Sequence, residues 1–200
     1  MGKTFGERVA GYAGRHERYA WAGCAVAATG FALVSGPVPH RMWGWSAGAG
    51  YALAAFLSSG SAPRRAARAV AVAGAAVVPL VVLVAAGLGQ SEVAVVERSG
   101  RLLLAGGSPY LTAPSAVADF NPYLPGMALF GVLPGDPRWW LGGTFVVSLA
   151  AARPRRVGPL LACPLVALPL AVGGVDLPVA DLMCLGLALA GRGRPGGAGL

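Results

Sequence analysis

Two of the few acidic residues of an apolar chain lie together with two arginines in one short segment. The stretch SEVAVVERSGRLLLAGGSPYL, positions 91–111, contains Glu92, Glu97, Arg98 and Arg101, although the whole chain has only 8 acidic residues. A carboxylate in a suitable environment can take the proton of an acceptor hydroxyl as a general base. We therefore expect this segment to carry the functional residues and the rest of the chain to be a membrane scaffold that positions it.

The same segment has the spacing of an amphipathic helix. Residues 91–105 contain no proline. At about 100° per residue, Glu97, Arg98 and Arg101 share one arc, and the valines and leucines share the other. Such a helix is suited to lie along a membrane surface. Glu97 and Arg101 are four residues apart in the favourable order for an ion pair, which is sufficient reason for Glu97 to be present.

Glu92 lies on the apolar arc, beside Val96 and Leu103, and two interpretations of it stay open. If Ser91 is the N-cap, Glu92 is a first-turn acid that the helix dipole favours. Alternatively, its carboxylate is held at the bilayer surface facing the protein, where it can deprotonate an acceptor hydroxyl. Acids close to a membrane interior are uncommon enough to be treated as candidate functional residues.

Two turn clusters follow the predicted helix. In GGSPYL the glycines permit a helix end and Pro109 prevents continuation, while DFNPYLPG, positions 119–126, leads the chain back towards the membrane. Tyr110, Phe120 and Tyr123 are amphipathic rings suited to the membrane interface. The alternative is that they stack against a sugar or an isoprenoid chain, which makes Tyr110 and Tyr123 candidate substrate-binding residues.

The composition predicts an all-α, polytopic transmembrane bundle in the cell membrane. Hydrophobic residues make up 56% of the chain and charged residues 12%, about half the charge of soluble domains. Repeated apolar runs approach the roughly 20 residues that a bilayer-spanning helix needs. We expect a basic cytoplasmic lead-in at 1–18, a transmembrane domain at 19–190 with an external loop at 90–121, and a disordered tail at 191–200. The short run at 122–134 leaves the number of spans at six or seven.

Arginines at the ends of the apolar runs account for the net charge of +8. Groups such as Arg64, Arg65 and Arg68 mark cytoplasmic loops by the positive-inside rule, so nucleic acid is not an expected partner. The 3 cysteines are isolated, which argues against a metal site, and we expect no cofactor. Pro79 falls within the clearest span and is tolerated where a neighbouring helix replaces the lost hydrogen bond.

Residues 90–134 resemble glycosyltransferase family 87, the polyprenyl-phosphate-mannose-dependent mannosyltransferase-like proteins of the GT-C superfamily. The shared pattern is an external helix that starts with an acid, then LL, G and PY, and later aromatic-x-P-Y-x-P before the next span. Glu92 matches the family's catalytic Asp, in a helix one residue longer. Two spans instead of one precede the loop and fewer follow it, which indicates a divergent or truncated member.

The resemblance implies a hexosyltransferase that moves a sugar, mannose, from a polyprenyl phosphate to an external acceptor. Glu92 would remove the acceptor proton while polyprenyl phosphate leaves as a stable anion, so that neither metal nor cofactor is required. Arg98 and Arg101 would bind the phosphate, although the helical wheel points both away from Glu92. Arg138 is a third cation for this role if GDPRWW lies outside.

Two other interpretations remain. The chain is a non-catalytic membrane scaffold or accessory protein, with membrane lipids and a partner subunit as its contacts, or, less favoured, a small transporter. A transporter would depend on Asp181, the one acid within an apolar run.

Overall fold

Helices account for all the regular structure in the part of the chain that the computed structural model describes, residues 5–60, 62–152 and 157–192. The all-α prediction is therefore confirmed. The α-helices are α1 (Phe5–Val34), α2 (Val38–Leu57), α3 (Arg64–Val72), α4 (Val78–Ala85), α5 (Ser91–Gly106), α6 (Ala128–Val132), α7 (Pro137–Ala152), α8 (Val157–Leu161), α9 (Pro164–Val172) and α10 (Asp176–Arg192). A π-helical turn, Ala73–Val77, joins α3 to α4, and 3₁₀ turns form at Val117–Asp119 and Pro125–Met127.

One helical stretch has the length and composition to cross a membrane. It is Arg64–Ala85, made of α3, the π-helical turn and α4, and its 22 residues extend about 33 Å, close to the roughly 30 Å of a bilayer core. No other helix among the described residues meets both requirements. One such helix is compatible with membrane association by length and composition alone, and it does not confirm the multi-pass bundle of six or seven spans.

Two of the expected apolar runs are not continuous helices. The run at 122–134 contains a 3₁₀ turn followed by the 5-residue α6, and so favours the option in which it does not cross. A second apolar run, at 157–172, also counts among the predicted spans. It is divided into α8 and α9, and the break falls just before Pro164, which has no backbone N–H to continue the earlier helix. Residues 5–18 of the predicted lead-in continue into the following apolar run as one helix, α1. The tail predicted at 191–200 begins within α10, which extends to Arg192, and its remaining residues lie outside the described part of the chain.

The described chain divides into two compact units. The first comprises Met1–Leu88 and Gly158–Val172, and the second comprises Gly89–Val157 and Gly173–Leu200.

In the first unit, α2 packs against α1 on one side and against the candidate span on the other. Gly50 and Gly74 lie at the crossing with the span, where a Cβ on Gly50 would stand 2.7 Å from the Cα of Gly74. Trp43 on α2 donates its indole N–H to the carbonyl of Ala75 across 2.8 Å. Pro79 has no N–H for that carbonyl, four residues earlier. A neighbouring helix therefore replaces the missing donor, as the sequence predicts.

In the second unit, α5 packs against α6 and α7 against α10. Its core contains Val96, Met127, Leu141 and Val175, all buried. These residues come from α5, the turn before α6, α7 and the segment before α10. The helix that carries Glu92 is therefore anchored on a core built from most of the unit.

Candidate functional site

An open cleft of about 730 Å³ lies within the second unit, beside the first two turns of α5. One wall is the face of α5 between Ser91 and Arg98, and the other is the returning segment from Val117 to Tyr123. Most of the lining is apolar, while Glu92, Arg98 and Tyr123 bring a carboxylate, a guanidinium and a phenol to its border. The cleft is therefore an apolar surface with a few polar groups, as in small-molecule sites generally.

Glu92 is placed at the edge of the buried face of α5. The helix begins at Ser91 and its N-cap is Gln90, so the expectation that Ser91 is the N-cap is wrong by one residue. Ser91 instead donates its hydroxyl to a carboxylate oxygen of Glu92 at 3.3 Å. Val93 and Val96 point into the core, which leaves Glu92 half-buried and bordering the cleft.

Arg98 borders the same cleft as Glu92, contrary to the expectation that it points away. The helical wheel places Glu92 and Arg98 on different sides of α5. The returning segment packs over the helix surface between them, so that both side chains border the cleft. The guanidinium donates to the carbonyls of Ala118 at 2.8 Å and Asp119 at 3.2 Å. These bonds use two of its five N–H donors, so Arg98 holds the returning segment and still has donors for an anion.

Asp119 fixes the 3₁₀ turn that forms part of the second wall. One carboxylate oxygen accepts the backbone N–H of Ser115 at 2.9 Å, its hydroxyl at 3.0 Å and the backbone N–H of Ala116 at 3.0 Å. These hydrogen bonds hold the pKa of Asp119 below its ordinary value, and the charge of Arg98 adds to the effect. Asp119 therefore stays ionised and keeps the turn closed at neutral pH.

Asn121 connects the returning segment to α5 and to the turn that ends it. Its side-chain N–H groups donate to the hydroxyl of Ser99 at 2.9 Å and to the carbonyl of Pro109 at 3.4 Å. Its side-chain oxygen accepts the backbone N–H of Tyr123 at 2.9 Å. Ser99 is only 2% exposed and in turn donates to the carbonyl of Val95. Asn121 and Ser99, neither of which the sequence singles out, set the position of Tyr123 at the cleft.

The two candidate tyrosines have different positions. Tyr123 lines the cleft, and the pKa of its phenol is raised by burial and by the nearby charges of Glu92 and Asp176. It therefore keeps its proton and can donate a hydrogen bond. Tyr110 does not line the cleft, and its hydroxyl donates to the carbonyl of Tyr123 at 2.9 Å. This hydrogen bond holds the returning segment from a position outside the cleft.

The remaining candidate cations lie apart from the cleft. Arg101 is exposed and is not part of its lining. Arg138 is only 2% exposed and forms an ion pair with Asp136 at 2.7 Å. Burial raises the pKa of Asp136, but the hydrogen bonds and charge of Arg138 outweigh it and lower the pKa overall. Asp136 accepts the backbone N–H of Arg138 at the start of α7, and the guanidinium of Arg138 holds that carboxylate in place.

Comparisons with protein-family models, curated proteins and solved structures find no match to this chain. The described residues contain no group of three His, Cys, Asp or Glu side chains that could hold a metal ion. The ionisable side chains that line the cleft are those of Glu92, Arg98 and Tyr123.

Proposed function

We propose that this chain is a multi-pass membrane glycosyltransferase of the GT-C type, a bundle of six or seven spans with the cleft on the external side. It transfers a sugar, mannose, from a polyprenyl phosphate to an acceptor hydroxyl. The observation that carries the proposal is that Glu92 and Arg98 border one cleft, so that a base and a phosphate-binding cation can act on the same substrate pair.

The reaction needs one proton acceptor and one anion-binding group. The acceptor hydroxyl attacks the anomeric carbon and gives its proton to the carboxylate of Glu92. The bond between the anomeric carbon and the phosphate oxygen breaks, and its electron pair leaves with polyprenyl phosphate. The unused N–H donors of Arg98 stabilise that phosphate, since charge-assisted hydrogen bonds from arginine are the strong ones.

The remaining lining fits the two substrates by size and polarity. A volume of about 730 Å³ falls within the roughly 300–1,000 Å³ typical of ligand sites. Phe120, 60% exposed, and Val117, 90% exposed, present apolar surface at the border, against which the first isoprene units can pack. The phenol of Tyr123 can donate to a sugar oxygen.

The experiment reconstitutes the full chain in liposomes with labelled polyprenyl-phosphate mannose and extracted acceptor lipids. Glu92→Gln keeps the size of the side chain but removes the base, and we expect transfer to fall by about 10²–10⁴-fold, the usual contribution of a general base. Glu97→Gln is the matched control, because Glu97 is on the same helix but outside the cleft lining. Equal rates in Glu92→Gln and Glu97→Gln, or no transfer by the wild type, would overturn the proposal.

A non-catalytic scaffold or accessory protein is the second candidate function. The contacts of Arg98 with Ala118 and Asp119 favour it, because loop anchoring alone explains that arginine. In this case, cells that carry Glu92→Gln keep the function of the protein, and disruption of the buried positions Val93 and Val96 removes it.

A further inference from the structure

A second concavity lies within the first unit, along the candidate membrane span. It is a shallow groove of about 420 Å³ that follows α3 and the π-helical turn. Arg65 and Arg68 border one end, and the remaining lining is apolar: Ala69, Val72, Ala73, Val77 and Gly158. The groove thus has a cationic end and an apolar length.

The two arginines at the cationic end of the groove are not neutralised by an acidic side chain of the described residues. Arg64 forms an ion pair with Glu17 at 3.4 Å. Within the part of the chain that the structure describes, Arg65 and Arg68 form no ion pair with a carboxylate. They are three residues apart and so lie on one face of α3. Two positive charges therefore face the same end of the groove.

Arg68 reaches that end because Gly158 leaves room for its stem. A Cβ built on Gly158 would stand 3.3 Å from the Cδ of Arg68, so a side chain at this position would crowd the arginine. The aliphatic part of Arg68 therefore packs over the glycine while its charged head remains at the border of the groove, as long basic side chains do at membrane interfaces.

The apolar part has a length that suits one lipid chain. From Arg65 to Val77 the helix rises about 18 Å, close to half of a bilayer core, roughly 15 Å. Ala69 and Ala73 keep the groove open because they are small. Ala73 begins the π-helical turn, an irregularity that is common at functional sites.

We infer that this groove binds a phospholipid with an anionic headgroup. Its phosphate lies against Arg65 and Arg68, and one acyl chain lies along Ala69, Ala73 and Val77. Basic pockets beside membrane-spanning helices recognise such headgroups by charge, and Arg64–Ala85 is the stretch with the length and composition to place these arginines at the membrane surface. The inference requires that this helix is in a bilayer, and it is independent of the sugar transfer.

Native mass spectrometry of the purified full chain tests the headgroup contact, with phosphatidylglycerol as the probe and phosphatidylcholine as the neutral comparison. We expect the wild type to prefer phosphatidylglycerol. The double variant Arg65→Gln/Arg68→Gln should bind it about 30-fold more weakly, the loss expected for two arginine contacts with an anionic lipid. Arg41→Gln/Arg64→Gln removes the same charge from the same unit outside the groove and should retain the preference.

The contact of the acyl chain with the apolar part of the groove is tested by a substitution that fills this part. Ala73→Phe places a ring where the chain would lie, and Ala85→Phe adds the same ring to another exposed alanine of the span, outside the groove. We expect only Ala73→Phe to weaken binding, with both variants melting within a few degrees of the wild type. Binding as strong for dihexanoyl as for dioleoyl phosphatidylglycerol would contradict the acyl-chain contact.

Three results would overturn the inference as a whole. They are a wild type without headgroup preference, an equal loss in the Arg41→Gln/Arg64→Gln control, and displacement of the lipid by inorganic phosphate at comparable concentration. The second indicates diffuse attraction to the basic surface, and the third indicates a site for free phosphate.

Discussion

The side-chain amide of Asn121 donates a hydrogen bond to the buried hydroxyl of Ser99 across 2.9 Å. The same side chain accepts the backbone N–H of Tyr123. Because Ser99 is on α5 and Tyr123 lines the cleft, this amide joins the two walls, together with the hydrogen bonds from Arg98 to Ala118 and Asp119. The shape of the cleft therefore depends on a residue that does not line it.

We predict that Asn121→Ala lowers the free energy of unfolding by about 1–3 kcal/mol, since it leaves polar groups without their partners. It should also increase proteolysis of the segment from 107 to 124, because the returning segment then keeps only the hydrogen bonds from Arg98 as its polar connection to α5. Denaturant titration and timed digestion measure the two effects. Thr112→Ala, at an exposed position of the same segment, is the control and should change neither. A similar effect of both substitutions would contradict the role of Asn121.

The hydrogen bond from Trp43 to Ala75 should contribute more to stability because residue 79 is proline. Trp43→Phe removes the donor and is expected to cost about 1–3 kcal/mol for the unsatisfied carbonyl, in addition to the lost packing. Pro79→Ala restores a backbone N–H four residues after Ala75. In a double-mutant cycle followed by thermal unfolding, the cost of Trp43→Phe should be smaller in the Pro79→Ala background. Additive costs would show that the indole does not replace the missing donor.

The turn at Asp119 should weaken in acid. The pKa of its carboxyl is lower in the folded protein than its ordinary value, so the stability it provides is present above the unfolded pKa of about 3.9. That stability is lost as the pH falls through the lower, folded pKa. We predict that Asp119→Asn is less stable than the wild type at neutral pH and that the difference shrinks in acid. Parallel denaturant titrations measure it, and a difference that grows in acid would contradict the assignment.

The candidate span should place residues 60 and 113 on opposite sides of the membrane. Both positions are exposed, and Arg64–Ala85 lies between them. In a background without the three native cysteines, Ala113→Cys should react with a membrane-impermeant maleimide added to intact cells. Gly60→Cys should react only after permeabilisation. Labelling of both from the same side would refute this single crossing.

Local features of the site were predictable, and its long-range contacts were not. The sequence predicts a helix over 91–105, and α5 runs from Ser91 to Gly106. It also predicts the end of this helix, where Gly107 has a positive φ of 71° and its N–H bonds to Leu103. These features depend on neighbours within one turn, and the residues there carry the signal.

The contact of Asn121 with Ser99 spans 22 residues, and no local pattern marks it. The prediction that Arg98 points away from Glu92 is wrong for a related reason. A helical wheel describes α5 alone, whereas the side of α5 that forms a cleft wall depends on where the returning segment packs. The pairing of Arg138 with Asp136 could have been found, since an acid two residues before a basic residue at a helix start is a local signal. The number of membrane spans depends on which apolar helices lie in lipid and which pack inside the protein. The periodicity of a single apolar run does not distinguish these two cases.

The crossing of α5 and α6 at Gly100 and Gly131 brings the two backbones into contact, and a Cβ at either glycine would overlap the other chain segment. Sliding α5 by one turn would insert a bulky neighbour at this point, so the pair has only one register. Glu92 is eight residues, about 12 Å, before the crossing on the same rod. The position of its carboxylate therefore depends on Gly100 and Gly131. A methyl group added at either glycine would push the two helices apart and displace Glu92 from the cleft.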